Sequence, residues 1–117
     1  MAKVVMTWKR DDSSKYWVLP NTKTISSGVF SLEESNYLLE TKDIYESLPG
    51  YVTSSVVFLD EYTYTFSIEF DTQQSAQSAY DILSDPPVDS AFYIRRQIVD
   101  LKRKQLGFNY TFTIELA

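Results

Sequence analysis

The residue types that most often carry enzyme chemistry are missing from this 117-residue sequence, which contains no cysteine and no histidine. A serine–histidine triad, a cysteine nucleophile and the usual zinc sites are therefore excluded, because each needs a thiol or an imidazole. A phosphate-binding loop is not predicted either, since the chain has three glycines and no glycine-rich run. The composition predicts no catalytic, metal-binding or cofactor-binding residue.

Two pairs of carboxylates are placed for structure rather than for catalysis. Glu33 and Glu34 follow Ser31 at the start of a predicted helix, where Ser31 and Glu34 have the spacing of a capping box. Asp60 and Glu61 separate two predicted strands and suit a hairpin turn. We predict that both pairs cap or turn the backbone instead of transferring protons or binding metal.

Three aromatic residues near the start of the sequence are candidates for contact with a partner: Trp8, Tyr16 and Trp17. Exposed tryptophan and tyrosine side chains dominate many protein interfaces. The same residues could instead fill the core at one end of a sheet, and the sequence favours neither interpretation.

Charge is distributed unevenly along the chain, whose net charge is −5. Residues 33–89 contain twelve acidic residues and a single base, Lys42. The following segment is basic and contributes Arg95, Arg96, Lys102, Arg103 and Lys104. These bases could form a solvated helix face that complements the helix dipole, bind an acidic partner or a phosphate, or steer self-association towards the acidic surface of a second copy. The acidic majority argues against general affinity for nucleic acid.

Four segments have strand patterns: 2–9, 51–59, 62–70 and 108–116. In the third of them Thr63, Thr65, Ser67 and Glu69 alternate with apolar residues, as expected of a strand with one buried face. The polar face could line a pocket or a barrel interior, but we favour solvent or the sheet of a partner. Hydroxyl groups paired across strands are cheap to desolvate, which suits a docking surface.

Three segments have helical patterns. The first covers 32–48 with a break near Thr41, and the second is capped by Asp71 or Thr72 and ended by a pair of prolines. The third covers 88–105. Its residues predicted to face the core are Ala91, Ile94, Ile98 and Leu101.

The order β-α-β-β-α-α-β is that of the ferredoxin-like fold with one additional helix before the last strand. We therefore predict a single α+β domain over residues 1–117, with a four-stranded antiparallel sheet and helices on one face. Residues 10–30 form either a hairpin on the first strand or, as we prefer, a long packed connection.

The step Leu48-Pro49-Gly50-Tyr51 leads into an apolar strand, and Phe70 precedes the second helix. Over residues 48–83 these features resemble the dimeric α+β barrel superfamily, which includes antibiotic-biosynthesis and haem-degrading monooxygenases. The resemblance implies a dimer whose two sheets close into a shared barrel. Haem-degrading members generally rely on a histidine ligand, which this chain lacks.

Cofactor-independent members of that superfamily use an asparagine, a tryptophan and an arginine to steer a phenolic substrate and oxygen. Residues of these types occur in the chain, although no spacing assigns any of them to that role: Trp8, Trp17, Asn21, Asn36 and Arg10.

A second resemblance concerns the opening of the chain. Thr7-Trp8-Lys9-Arg10 followed by Tyr16-Trp17 is similar to small proteins encoded by tailed phages. This resemblance implies an origin rather than a function.

The sequence favours a non-enzymatic assembly or accessory protein, of phage origin, that acts as a homodimer or larger homo-oligomer without a cofactor. The alternative is a cofactor-independent monooxygenase or small-molecule binder of the dimeric α+β barrel type. We expect no nucleic-acid or membrane partner, and a location in the cytoplasm of the host or in the virion.

Overall fold

A computed structural model describes residues 2–11, 30–107 and 109–117 of the chain. The strands are β1 (Ala2–Arg10), β2 (Tyr51–Phe58), β3 (Thr63–Phe70) and β4 (Tyr110–Leu116). The helices are α1 (Leu32–Glu40), α2 (Gln73–Ser84) and α3 (Ala91–Gln105), with one 3₁₀ turn at Ile44–Ser47. The choice between a hairpin and a long connection over residues 10–30 falls almost entirely outside the described residues.

The four strands form one antiparallel sheet in the order β2-β3-β1-β4. β1 thus lies between β3 and β4, although neither follows it directly in the chain, and this is the ferredoxin-like arrangement. α3 is the additional helix inserted before β4. The predicted fold class is confirmed, with β2 and β4 as the two edges of the sheet.

The core lies between the sheet and the helices. Alternate residues of β1 and β3 are buried on this side, and Tyr64, Phe66, Ile68 and Phe70 have no exposed surface. α2 packs on β1, β3 and β4. It does so through the predicted stripe of small and aliphatic residues, of which Ala76, Ala79 and Leu83 are buried. Small side chains at these positions allow the helix to approach the aromatic surface of the sheet closely.

α1 starts with the predicted capping box and ends at the predicted break. The Ser31 hydroxyl accepts from the backbone N–H of Glu34, and the Glu34 carboxylate accepts from the backbone N–H of Ser31. At the other end, both the backbone N–H and the hydroxyl of Thr41 donate to the carbonyl of Tyr37. The predicted helix over 32–48 is therefore two pieces, α1 and the 3₁₀ turn.

The face of α3 predicted to point inward is wrong at Leu101, whereas Ile98 does pack against the buried residues Leu38 and Val99. Leu101 is 51% exposed, whereas Arg95 and Arg103 are 1% and 0% exposed. Together with Val99 they form the buried line of the helix, at a spacing of four residues. The prediction failed because it assigned every arginine to solvent, while the structure uses two guanidinium groups as internal hydrogen-bond donors.

Arg95 and Arg96 each bind the C-terminal end of a different helix. Nη1 of Arg95 donates to the carbonyl oxygen of Leu38 in α1 at 2.7 Å and to the Thr41 hydroxyl at 2.9 Å. Nη2 of Arg96 donates to the carbonyl oxygen of Leu83 in α2 at 2.7 Å. The last carbonyls of a helix lack partners within it, and a cation there also complements the helix dipole. Two adjacent residues of α3 thus hold the ends of both other helices.

Two glycines with positive φ provide a test of close packing. Gly50 (φ 78°) precedes β2, and a Cβ there would overlap the side chains of Asp71 and Ser75. Gly107 (φ 85°) follows α3, and a Cβ there would meet no atom within 4 Å. We expect Gly107→Ala to cost about 1 kcal/mol for the backbone conformation alone, and Gly50→Ala about 1–3 kcal/mol more through overpacking.

Urea denaturation followed by circular dichroism would measure both free energies of unfolding. Equal losses in the two variants would contradict the close contact between Gly50 and the start of α2.

Candidate functional site

A row of four aromatic residues crosses the sheet on the side that faces the helices. Trp8 of β1 lies opposite Tyr64 of β3 and Phe112 of β4, and Phe58 of β2 lies opposite Tyr64. Ring centroids of adjacent members are 4.8–5.7 Å apart. Their order across the sheet is Phe112, Trp8, Tyr64 and Phe58, and we call these residues the aromatic row. Strand register alone brings them together.

The guanidinium group of Arg103 lies against the aromatic row. Its Cζ is 5.4 Å from the Trp8 ring centroid, 5.9 Å from that of Tyr64 and 5.1 Å from that of Tyr110. Nη2 donates to the Tyr64 hydroxyl, and Nη1 is 3.7 Å from the carboxylate of Asp100 one turn earlier in α3. A buried cation requires such partners, because its removal from water is costly.

Burial changes the acidity of the two tyrosines beside Arg103. Loss of solvent raises the pKa of Tyr64 above its usual value, and the positive charge of Arg103 opposes that effect. Burial also raises the pKa of Tyr110 to about 12, aided by a hydrogen bond with Asp100. Both phenols therefore stay protonated near neutral pH, and the nearby positive charge belongs to Arg103.

Most of the predicted basic surface of α3 is used inside the monomer. Arg95 and Arg103 are buried, and Arg96 binds the end of α2 with its Cζ 5.1 Å from the Phe112 ring centroid. Lys102 forms an ion pair with Glu34 at 3.1 Å, which helps to lower the pKa of that carboxyl after the larger effect of its hydrogen bond to the Ser31 backbone. The expectation of a solvated or docking helix face is therefore corrected, with Lys104 the exposed base of this segment.

Of the three aromatic residues predicted as candidates for partner contact, the structure describes Trp8. Trp8 is buried in the aromatic row, which is the core placement among the two interpretations that the sequence left open. Tyr16 and Trp17 lie outside the described residues. The sequence analysis predicted neither the aromatic row nor the burial of Arg103 against it, because both depend on strand pairing between distant residues.

Cavities lined by described residues lie at both edges of the sheet. One of about 270 Å³ lies between the 3₁₀ turn and β2 and includes Glu46, Tyr45 and Ser54. Two others, of about 480 and 390 Å³, share Asn109 and Tyr110 beside the end of β4. Trp8 is among the described lining residues of none of the three. Within 2–11, 30–107 and 109–117, no group of three or more acidic side chains is placed to hold a metal ion.

The opposite side of the sheet, which we call the open face, carries no described helix. Its residues alternate with the core residues, and all of them are at least partly exposed except Thr63, which is buried. The open face consists of Lys3, Val5, Thr7, Lys9, Thr53, Ser55, Val57, Thr63, Thr65, Ser67, Glu69, Thr111, Thr113 and Glu115. The predicted docking residues Thr63, Thr65 and Ser67 belong to it, and their docking role stays a prediction.

The centre of the open face is uncharged. One cross-strand row contains Thr113, Thr7, Thr65 and Val57, in that order across the sheet. Charges lie towards its borders, where Lys3 and Glu69 form an ion pair at 3.3 Å. Hydroxyl and methyl groups thus occupy the centre of the open face, and charged groups occupy its border.

Comparison with known proteins adds solved structures of low similarity. No protein-family model matches the sequence, and no curated protein matches it. The chain is similar to a mutant form of SnoaB, a cofactor-independent oxygenase from Streptomyces nogalater, with 11% identity and a TM-score of 0.47 over 99% of this chain and 91% of that chain. It is also similar to a dimeric ferredoxin-like protein from an uncultured marine organism, with 12% identity and a TM-score of 0.43 over 100% and 92% of the two chains.

One description names a cofactor-independent oxygenase and the other a dimeric ferredoxin-like protein, while no finding supports the resemblance to phage proteins. At these identities and TM-scores the fold assignment rests on the strand order of this chain itself.

No helix in the described part of the chain is long and apolar enough to span a membrane.

The raised pKa of Tyr110 predicts a loss of stability at high pH. The folded state keeps the Tyr110 phenol protonated above the ordinary pKa of about 10. The stability that this phenol contributes is therefore fully present below pH 10 and is lost as pH rises towards about 12. We expect the free energy of unfolding to fall less between pH 10 and 12 in Tyr110→Phe than in the unmodified protein. Guanidinium denaturation at several pH values would measure the free energy of unfolding of both proteins. An equal fall in the two proteins between pH 10 and 12 would contradict the burial of the Tyr110 hydroxyl.

Proposed function

We propose that the protein works by self-association and that two copies pack through the open faces of their sheets. The observation that carries this proposal is the uncharged central row containing Thr7, Thr65, Thr113 and Val57, which no described helix covers. It supports the homo-oligomeric assembly or accessory role expected from the sequence.

The chemistry of the open face suits contact with a second copy of itself. In a two-fold interface the same patch occurs on both sides, so the patch must complement itself. Threonine and serine hydroxyls both donate and accept hydrogen bonds, and the threonine methyl groups add apolar contact. A central charge would instead meet an identical charge near the two-fold axis.

Charges at the border of the open face are close to balanced. Lys3 and Lys9 lie on β1, while Glu69 and Glu115 lie on the two strands beside it. Opposite signs on adjacent strands allow the borders of two copies to attract each other in some relative orientations and to repel in others. They therefore select an orientation more than they strengthen binding.

The alternative function, that of a cofactor-independent oxygenase or small-molecule binder, has less support. It requires a closed apolar pocket containing a tryptophan or asparagine with an arginine nearby. Trp8 and Arg103 do meet, but both are buried in packed contact with other rings. The cavity of about 480 Å³ does bring Asn109 together with Arg10, but it is open to solvent and is also lined by Lys9 and Asp11, so it is not the closed apolar pocket that this function requires.

Native mass spectrometry of the gently purified protein tests the proposal. We expect twice the monomer mass without a bound small molecule. Thr65→Glu places a carboxylate at the centre of the open face and should shift the protein to monomer by raising the dissociation constant at least tenfold. Gln97→Glu adds the same charge at an exposed position of α3 and should leave the dimer intact.

A monomer at high micromolar concentration would contradict the proposal, as would a dimer that Thr65→Glu does not weaken. A stoichiometric small-molecule adduct would favour the alternative function instead.

A further inference from the structure

β2 is an edge strand whose side chains are exposed on both sides of the sheet. Val57, on the open face, is 48% exposed, and Phe58, on the side that faces the helices, is 54% exposed. Val52, Val56 and the following Leu59 are also exposed. β3, its neighbour, is buried along the whole helix-facing side. The apolar character of β2 is therefore not explained by the core of the described structure.

Among the described residues no helix covers β2 on the side that faces the helices. α2 packs on β1, β3 and β4, and the described helical element with the most contact to β2 is the short 3₁₀ turn Ile44–Ser47. Between this turn and the strand lies the cavity of about 270 Å³ that is lined by Tyr45, Glu46 and Ser54. The outer edge of β2 is consequently accessible together with a groove wide enough for side chains of another chain.

Apart from the register shift between Tyr51 and Thr53, the described part of this edge lacks the features by which proteins prevent strand pairing. Natural edge strands are commonly protected by charged side chains, proline or a covering element. The nine residues 51–59 contain no charge and no proline. β4, the other edge, carries the exposed carboxylate of Glu115.

We infer that the outer edge of β2 binds an extended peptide segment of another protein, which adds a fifth strand to the sheet. In this mode the backbone supplies hydrogen bonds, and alternate side chains of the peptide contact the two faces. Its apolar residues would contact Val57 on one face, and Val56 and Phe58 with the adjoining groove on the other.

The charges around β2 indicate that the peptide is basic at its ends. Exposed Asp60 and Glu61 form the hairpin tip after β2, and exposed Asp43 and Glu46 line the groove beside it. Lys42, the single base between residues 33 and 89, also lines the groove, so its charged lining is two carboxylates and one ammonium group. A segment with alternating β-branched residues flanked by lysine or arginine complements this surface, whereas a second copy would bring its own carboxylates to the same edge.

A ribosome-displayed library of random nine-residue peptides, selected on the immobilised full-length protein, tests the inference. We expect enrichment of peptides with alternating Val, Ile or Thr and at least two basic residues. The best synthetic peptide should bind Glu46→Lys at least fivefold more weakly than the unmodified protein. Asp85→Lys makes the same charge change at the exposed end of α2, which packs away from β2, and should change affinity less than twofold.

Strand addition requires the peptide backbone, so methylation of alternate amide nitrogens should abolish binding of the selected peptide. The inference would be overturned if no peptides were enriched or if acidic peptides were enriched. It would also be overturned if the selected peptide still bound when either alternate set of its amide nitrogens was methylated. If Val57→Lys abolished the dimer while Thr65→Glu retained it, a second copy of the chain would occupy the edge of β2. That result would also overturn the inference. The self-association proposed above fails on different results, because it depends on Thr65.

Discussion

The buried guanidinium groups of α3 are the constraint on which the arrangement of the helices depends. Arg95 satisfies the end of α1, the adjacent Arg96 satisfies the end of α2, and Arg103 lies over the aromatic row of the sheet. A buried arginine is stable only when its donors have partners, so each contact also fixes where the partner must be. α3 thus joins two helices and the sheet through directional bonds instead of through an apolar stripe.

The strand register of the sheet is a second constraint on the structure, independent of the arginines of α3. Its register places Trp8 between Tyr64 and Phe112 on one side and Thr7 between Thr65 and Thr113 on the other. A slip of one residue would exchange these faces and bury the hydroxyl groups under the helices. The same period of two that builds the aromatic core therefore produces a hydroxyl-rich surface on the opposite side, and neither can change without the other.

Local patterns in the sequence predicted the elements, because periodicity and capping depend on near neighbours. The alternation of residues 62–70, the capping box at Ser31 and the break at Thr41 all have local causes. The inner face of α3 could not be predicted in this way. Whether Arg95 points to water or to the carbonyl of Leu38 depends on a residue 57 positions away, and arginine is rarely buried unless such a partner exists.

The candidate surfaces were predicted only in part for the same reason. Thr63, Thr65 and Ser67 were identified by alternation, which determines the face of a strand. The exposure of β2 depends instead on where the helices stop, and an apolar, β-branched run looks the same in the sequence whether it is covered or not. Burial of Arg103 beside Trp8 likewise required knowledge of three strands and a helix together.

Val57 belongs both to the central row of the open face and to the edge strand β2. If both proposals hold, the peptide and the second copy of the chain would contact the same side chain, so that binding of one would change the free energy of binding of the other. Such coupling is reciprocal by thermodynamic necessity: whatever factor one partner imposes on the affinity of the second, the second imposes on the first. Through the single side chain of Val57, dimer formation would then respond to peptide binding at the edge of the sheet.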